Sequence, residues 1–198
     1  MKKDGDIIQI EVEFSPFNIY NKPFILALIS DVSEQKEIER KLLIRNRALE
    51  SATSGIVITD NLKHDNPIIY CNKAFKNLTG YNEEEILNKN CRFLNAKDNN
   101  QKDLEIVREA IKNGESCQVT LRNYKKDGTL FWNQLYILPI SDNNGLVTNF
   151  IGIHNDVTES IKKEEERHHL STILDDSLNE IEFRKRLYNY SVEPYWRR

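Results

Sequence analysis

The sequence is poor in the residues that build disulfide-bonded, zinc-binding or membrane-spanning proteins. It has three cysteines in 198 residues, Cys71, Cys91 and Cys117, and no C-x-x-C pair. An odd number at wide spacing argues against a disulfide framework and against a structural zinc site. The longest apolar run, residues 24–29, falls far short of the ~20 residues that span a bilayer. We therefore expect a protein of the reducing cytoplasm without a membrane partner or a bound metal.

Basic residues are also not in excess, because the formal net charge is −3. Nucleic-acid-binding domains usually carry a positive footprint, so we expect no nucleic-acid partner. The sequence shows no readable pair of nucleophile and base, no metal-ligand cluster and no kinase signature. We therefore expect a module that is not itself an enzyme, with any effector lying outside this chain.

The chain contains an internal repeat. Lys3-Asp4-Gly5 opens a segment that ends in Asp31-Val32-Ser33-Glu34, and Lys126-Asp127-Gly128 opens one that ends in Asp156-Val157-Thr158-Glu159. Both segments are rich in β-formers and stop where a Ser or Thr can cap a helix. Residues 1–31 therefore resemble the closing strands of a preceding unit. Because about thirty residues cannot bury a core, we expect this piece to dock elsewhere, to swap with a second copy, or to be a cut edge.

Two charged segments with a sparse apolar stripe follow these junctions, at residues 32–50 and 159–181. Apolar residues at three- and four-residue spacing predict helices whose stripe is too narrow for a core but suits a partner helix. We expect two connector helices and a homodimer formed through them. Residues 182–198 show no pattern that predicts a structure.

Between the connectors, residues 51–158 form one complete α+β unit. Two strand candidates lie at 55–60 and 67–70, short helical pieces follow, and an amphipathic helix is predicted over 103–113. Three further strand candidates lie at 118–124, 130–140 and 146–153, and Gly-containing turns separate them.

Cys91 stands out in this unit because it lies in the run Asn-Cys-Arg-Phe-Leu at residues 90–94. Three roles compete for such a thiol: packing, metal ligation and covalent chemistry. Free cysteines are most often small buried hydrophobes, so the residue alone does not decide between them.

The surrounding motifs decide in favour of covalent chemistry, because residues 51–158 resemble a LOV domain, the flavin-binding blue-light branch of the PAS superfamily. The resemblance rests on an ordered set: residues 90–94, Arg108, Asn123, Phe131-Trp132-Asn133, Pro139 and Phe150-Ile151-Gly152. It implies a five-stranded antiparallel sheet with short helices on one face and with flanking N- and C-terminal helices.

The resemblance also implies a cofactor, FMN, and a photochemical role for Cys91. In this family blue light drives formation of a reversible bond between the cysteine sulfur and flavin C4a, and the bond breaks in the dark. An apolar pocket would keep the Cys91 thiol neutral in the dark, since burial disfavours thiolate.

The predicted flavin contacts follow from the chemistry of the side chains. Arg92 and Arg108 suit a phosphate dianion, because guanidinium groups form bidentate hydrogen bonds. Asn123 and Asn133 lie ten residues apart across a turn, nearly opposite on one sheet face, and their amides suit the pyrimidine edge of a flavin. The remaining predicted cofactor contacts are Val57, Thr59, Asn90, Leu94, Asn95, Leu135, Ile137, Phe150 and His154.

Two of these residues depart from the family pattern, which has glutamine at both positions. Asn95 is one methylene shorter than glutamine. His154 stands where the family glutamine faces flavin N5 and O4, and an imidazole can charge near an ordinary pKa of roughly 6.5. We therefore expect the signal to pass from His154 into the following helix, and dark recovery to depend on pH between about 5.5 and 8.

Two other functions remain open from the sequence. A flavin-binding redox sensor could use the same pocket without light, and a cofactor-free PAS module could serve dimerisation alone. Neither would need the Cys91 thiol to reach a flavin.

Overall fold

The computed structural model describes residues 7–191, and side chains within residues 7–187. Residues 1–6, which begin the first predicted repeat segment, and residues 192–198, which end the predicted tail, lie outside this range. The chain divides into two compact units after Thr53.

The first unit is a β-hairpin followed by a helix. Strands β1 (Ile10–Ile19) and β2 (Lys22–Asp31) pair antiparallel, with Ile10 opposite Asp31. Tyr20 and Asn21 both have positive φ, which is the backbone of the tight turn that suits twisted hairpins. Helix α1 spans Ser33–Ser51 and has no buried residue.

The second unit is a five-stranded antiparallel sheet with helices packed on one face. The spatial order of its strands is β4-β3-β7-β6-β5. The elements in chain order are β3 (Gly55–Asp60), β4 (Ile68–Cys71), α2 (Lys73–Thr79), α3 (Glu83–Ile86), a 3₁₀ helix (Cys91–Asn95), α4 (Asp103–Asn113), β5 (Cys117–Tyr124), β6 (Leu130–Ser141), β7 (Val147–Asp156) and α5 (Thr158–Ser191). This is the α+β architecture that the LOV resemblance implies.

Buried and less buried residues alternate along the strands, so the sheet has one buried face and one outer face. In β6 the odd-numbered residues 131–137 are buried, while their even-numbered neighbours are half-buried or exposed. Asn72 ties the sheet to the helices, because its Oδ1 accepts from Ile56 N at 2.8 Å and from Phe75 N at 2.9 Å. Phe75 is completely buried beneath the sheet.

The two strand-to-helix junctions of the repeat make the same hydrogen bonds. Ser33 Oγ accepts from Gln9 N at 2.8 Å, and Thr158 Oγ1 accepts from Trp132 N at 2.8 Å. The hydroxyls therefore tie each helix start to backbone in or next to a strand. The preceding aspartates instead accept from the first N–H of each helix: Asp31 Oδ1 accepts from Ser33 N, and Asp156 Oδ1 accepts from Thr158 N, both at 3.0 Å.

Helix α5 is longer than the sequence predicted, because it continues past residue 181 to Ser191. No proline or glycine interrupts residues 158–191. The charged stretches are also compatible with a helix, since Lys163 pairs with Glu159 and Arg184 with Glu180 at four-residue spacing. Among the described residues, every helix is too short or too polar to cross a membrane.

Candidate functional site

The second unit encloses a cavity of about 600 Å³ between the buried face of the sheet, the 3₁₀ helix and α4. Ligand pockets usually measure roughly 300–1,000 Å³, so this one is large enough for a cofactor. Apolar side chains of the sheet, the 3₁₀ helix and α4 form most of its inner wall. These are Val57, Leu94, Leu104, Val107, Ile111, Leu121, Leu135, Ile137 and Phe150.

Cys91 lines this cavity at the first position of the 3₁₀ helix. Asn90 begins this helix, because its Oδ1 accepts from Arg92 N at 3.0 Å and its Nδ2 donates to Asp65 O at 2.6 Å. Burial raises the pKa of the Cys91 thiol to about 12. The sulfur therefore stays protonated at neutral pH, as the sequence predicted.

His154 faces Cys91 from β7, with its Nε2 atom 3.9 Å from the cysteine Sγ. The imidazole is 2% exposed and packs edge-on against Phe75, with ring centroids 4.9 Å apart. Burial lowers its pKa to about 3, so the ring is neutral between pH 5.5 and 8. The prediction that His154 changes its charge between about pH 5.5 and 8 is therefore wrong for this site. Burial removes water from the imidazole and so disfavours its charged form.

Three asparagines continue from His154 as a chain of hydrogen bonds. Asn133 Nδ2 lies 2.9 Å from His154 Nδ1 and donates to Asn123 Oδ1 at 2.8 Å. Asn123 Nδ2 donates to Asn95 Oδ1 at 3.0 Å and to the Arg122 carbonyl at 3.0 Å. The side chains of Asn95, Asn123, Asn133 and His154 thus form one connected hydrogen-bond network.

Asn133 differs from the other predicted site residues because it does not line the cavity. It is completely buried, and it lies behind Asn123 and His154. The two asparagines share a sheet face as predicted, but they sit diagonally rather than opposite. Asn133 pairs with Leu121 in the sheet, and Asn123 pairs with Phe131. The diagonal step lets the two amides meet while only Asn123 reaches the wall.

The mouth of the cavity carries three exposed cations. Arg92 pairs with Asp65, Arg108 lies 3.6 Å from Glu105, and Lys63 lies 3.3 Å from Asp60. Arg92 and Arg108 were predicted from the sequence, and both line the cavity. Lys63 and Asp65 were not, because they lie in the polar turn between β3 and β4, where charged residues are common and carry no motif.

Some of the other wall residues that were not predicted belong to α4, and the rest lie in loops and strands. Leu104, Val107 and Ile111 belong to the inward stripe of the predicted amphipathic helix, so their periodicity could have found them. Asn61, Asn66, Asn99, Leu121 and Gly152 also line the cavity. A Cβ on Gly152 would lie 2.9 Å from Val57 Cγ2 and 3.2 Å from His154 Nε2, so the glycine lets these two side chains pack close to the strand.

The chain matches known proteins over the same unit. Residues 53–159 match the PAS domain family model. The blue-light photoreceptor of Listeria monocytogenes serovar 1/2a is 41% identical over 136 residues, which is 69% of this chain and 51% of that protein. This chain belongs to the PAS domain family.

Solved structures place it in the LOV branch of that family. The light-state LOV domain of the photoreceptor Aureochrome1 is 36% identical, with a TM-score of 0.53 over 62% of this chain and 96% of that one. A LOV domain studied with a flavin analogue is 40% identical, with a TM-score of 0.55 over 64% and 93% of the two chains. The LOV chain described here spans 22% to 51% of the length of three curated relatives.

The cavity of this LOV domain has the features that a flavin requires. Its inner wall is apolar, Asn95 and Asn123 present amides along one edge, and cations lie at the mouth. Thr59 Oγ1 is buried on the wall without a hydrogen-bond partner among the described residues. A buried hydroxyl left unpaired is costly, and a ligand with a polar edge would satisfy it. The residues therefore fit a flat aromatic ring with an anionic tail.

Proposed function

We propose that this chain is a blue-light sensor that holds FMN non-covalently in the cavity and responds through the Cys91 thiol. A bound flavin would supply light absorption and a reactive ring carbon and nitrogen, C4a and N5. Cys91 would supply the sulfur for C4a and the proton for N5, and both would return in the dark, so no outside oxidant or reductant would be needed. The observation that carries the proposal is the position of the Cys91 thiol on the cavity wall, with its Sγ 3.9 Å from His154 Nε2.

The other residues bind and orient the ring in this proposal. Leu94, Leu135 and Ile137 exclude water and pack on the ring faces. Thr59, Asn95 and Asn123 offer hydrogen bonds to its polar edge. Because Asn133 is not on the wall, it contributes by holding Asn123 and His154 in place.

Visible absorption before and after blue illumination tests this function. Flavin-loaded protein should bleach under blue light and recover in darkness. Cys91→Ala should keep the flavin and lose the bleach, while Cys117→Ala, a half-buried cysteine away from the cavity wall, should behave as wild type. Bound flavin without a bleach in the wild type would instead support a redox sensor, and failure to bind flavin would support a dimerisation module.

The phosphate of FMN is proposed to bind at the mouth, beside Arg92 and Arg108. We expect Arg108→Gln to weaken FMN binding roughly tenfold, because one charge-assisted hydrogen bond contributes about 1.5 kcal/mol or more. Riboflavin, which has no phosphate, should bind equally well to both proteins. Fluorescence titration with the two ligands measures this difference.

Arg167→Gln is the matched control for that titration. Arg167 is an exposed arginine on α5 that pairs with a glutamate three residues away, as Arg108 does. It should leave both affinities unchanged. Equal loss of FMN and riboflavin binding in Arg108→Gln would contradict the phosphate assignment.

We also propose a reducing cytoplasm as the location, because the chemistry needs Cys91 as a free thiol. The effector is proposed to lie outside this chain, reached through α5. A blue-light-activated histidine kinase of Brucella anthropi matches over 140 residues, which is only 28% of its length.

A further inference from the structure

The hydrogen-bond chain beside the cavity determines which nitrogen of His154 carries the proton. A neutral imidazole has one N–H donor and one acceptor nitrogen, and its neighbours select between the two tautomers. Asparagine orientations have to be assigned in the same way, from partners whose roles are fixed. One member of this series of hydrogen bonds has a fixed role, because it is a backbone carbonyl and a carbonyl can only accept a hydrogen bond.

That fixed partner is the carbonyl oxygen of Arg122. It lies 3.0 Å from the Asn123 amide, so the Asn123 atom facing it must be the NH₂ group. The same NH₂ group donates to Asn95 Oδ1 at 3.0 Å. The Asn123 carbonyl oxygen is thereby turned toward Asn133, which must present its own NH₂ group at 2.8 Å.

The Asn133 NH₂ group is also the atom that faces the imidazole. It lies 2.9 Å from His154 Nδ1. A donor at that distance requires Nδ1 to be the acceptor, so the single ring proton has to lie on Nε2. The reverse orientation of Asn133 would place two carbonyl oxygens against each other at the Asn123 contact.

We propose that His154 is a specificity-determining hydrogen-bond donor, held in its Nε2–H tautomer by Asn133 and Asn123 and anchored at the Arg122 carbonyl. Nε2 is the nitrogen that faces Cys91 Sγ at 3.9 Å. His154 and Cys91 both line the cavity. His154 therefore offers an N–H to whatever occupies this end of the cavity.

This tautomer distinguishes ligand atoms by their hydrogen-bonding role. An acceptor, such as a carbonyl oxygen or an unprotonated ring nitrogen, can bind to Nε2–H directly. A donor at the same place requires the Nδ1–H tautomer, which removes the contact from Asn133. The tautomer does not depend on the proposed function, but its use as a contact to flavin does.

Nitrogen NMR on ligand-free protein with ¹⁵N-labelled histidine tests the tautomer by itself. At pH 7 the His154 ring should show a protonated Nε2 and an unprotonated Nδ1. The exposed His64, His168 and His169 should show averaged signals and so provide an internal reference. A protonated Nδ1 in His154, or rapid averaging of its two tautomers, would overturn the proposal without any variant.

The variant Asn133→Asp tests whether Asn133 determines which nitrogen of His154 carries the proton. A carboxylate can only accept, so it should move a proton onto Nδ1. Asn149→Asp is the matched control, since Asn149 also lies in the sheet but donates to Thr59 O, outside the chain of amides. It should leave His154 unchanged. If Asn133→Asp folds and Nδ1 of His154 stays unprotonated, Asn133 does not determine the tautomer. If the variant does not fold, the signals of the wild-type protein still decide which tautomer is present.

The contact to flavin is tested by the same signals after FMN is added. The His154 Nε2 proton should shift and stay on Nε2. If FMN binds and this signal does not move, the donor role toward the cofactor is wrong while the tautomer stands. If FMN does not bind at all, the proposed function fails and the ligand-free result still holds.

Discussion

His154 is the residue whose environment changes its chemistry most. A histidine in an unfolded chain protonates near pH 6.5, whereas burial lowers the pKa of His154 to about 3. The unfolded state therefore binds more protons between these values, so this residue's stabilising effect is complete above pH 6.5 and is lost as the pH falls toward 3. Among the described residues, the ionisable side chain that faces the ring is the neutral Cys91 thiol.

We expect His154→Gln to flatten the acid side of the stability profile. From pH 7 to pH 5 the wild type should lose about 2 kcal/mol of unfolding free energy through this residue, and the variant should not. Urea unfolding of ligand-free protein at three pH values measures the difference. His64→Gln, at an exposed site, should keep the wild-type slope. Identical slopes in the wild type and His154→Gln would contradict the buried neutral ring.

The residues of the site were predictable to the extent that they belong to motifs. Cys91, Arg108 and Asn123 were found from their order in the sequence, and the structure places all three on the cavity wall. The position of Asn133 behind the wall was not predictable, because it depends on the diagonal register between β5 and β6. The neutral state of His154 was missed for a similar reason: burial is a property of the packed sheet and not of the residue type.

At the scale of elements, the junction between β6 and α5 connects the site to the helix. Asn133 is adjacent to Trp132, whose N–H donates to Thr158 Oγ1 at 2.8 Å and whose carbonyl accepts from Val157 N at 2.9 Å. A change in the hydrogen bonds of His154 can therefore be passed to α5 through Asn133 and its neighbour Trp132. The covalent path along β7 is a second route.

We expect Thr158→Val to weaken this junction. The substitution keeps the side-chain shape but removes the hydroxyl, leaving the half-buried Trp132 N–H without its acceptor, at a cost of about 1–3 kcal/mol. Hydrogen exchange of the first turn of α5 should become faster, while exchange in α4 should not change. Thr158→Ser keeps the hydroxyl and should resemble the wild type. Unchanged exchange in Thr158→Val would show that this bond does not hold the helix.

The strands of the second unit and α4 were predicted more accurately than α5. All five strands and α4 lie within three residues of the expected bounds, because alternation and the Gly114 stop are strong local signals. The last ten or so residues of α5 were missed, since a charged stretch with few apolar residues lacks the periodicity that distinguishes a helix from a loop.

At the scale of the whole molecule, large apolar residues remain exposed outside the LOV unit. In α1 they include Ile38, Leu42 and Leu43, and in the described part of α5 they include Leu170, Leu174 and Leu178. Exposed apolar stripes of this kind indicate an interaction surface. The homodimer predicted from the sequence would cover them.

We expect sedimentation of the wild type to show a concentration-dependent dimer. Leu174→Lys combined with Leu178→Lys should shift it toward monomer, because charges on the stripe must be desolvated in a helix pair. Lys162→Leu, outside the stripe and in the charged run, should not reduce association. A wild type that stays monomeric at all concentrations, in the dark and in the light, would remove the dimer prediction.

The most direct test of the central claim is the infrared S–H stretching band of flavin-loaded protein, recorded as a light-minus-dark difference. Because Cys91 is proposed to be a protonated thiol that gives up its proton when it bonds to the flavin, one S–H band should disappear on blue illumination and return in darkness. The change should be absent in Cys91→Ala and present in Cys117→Ala. An S–H band that is unaffected by light while the flavin absorbs would contradict the account.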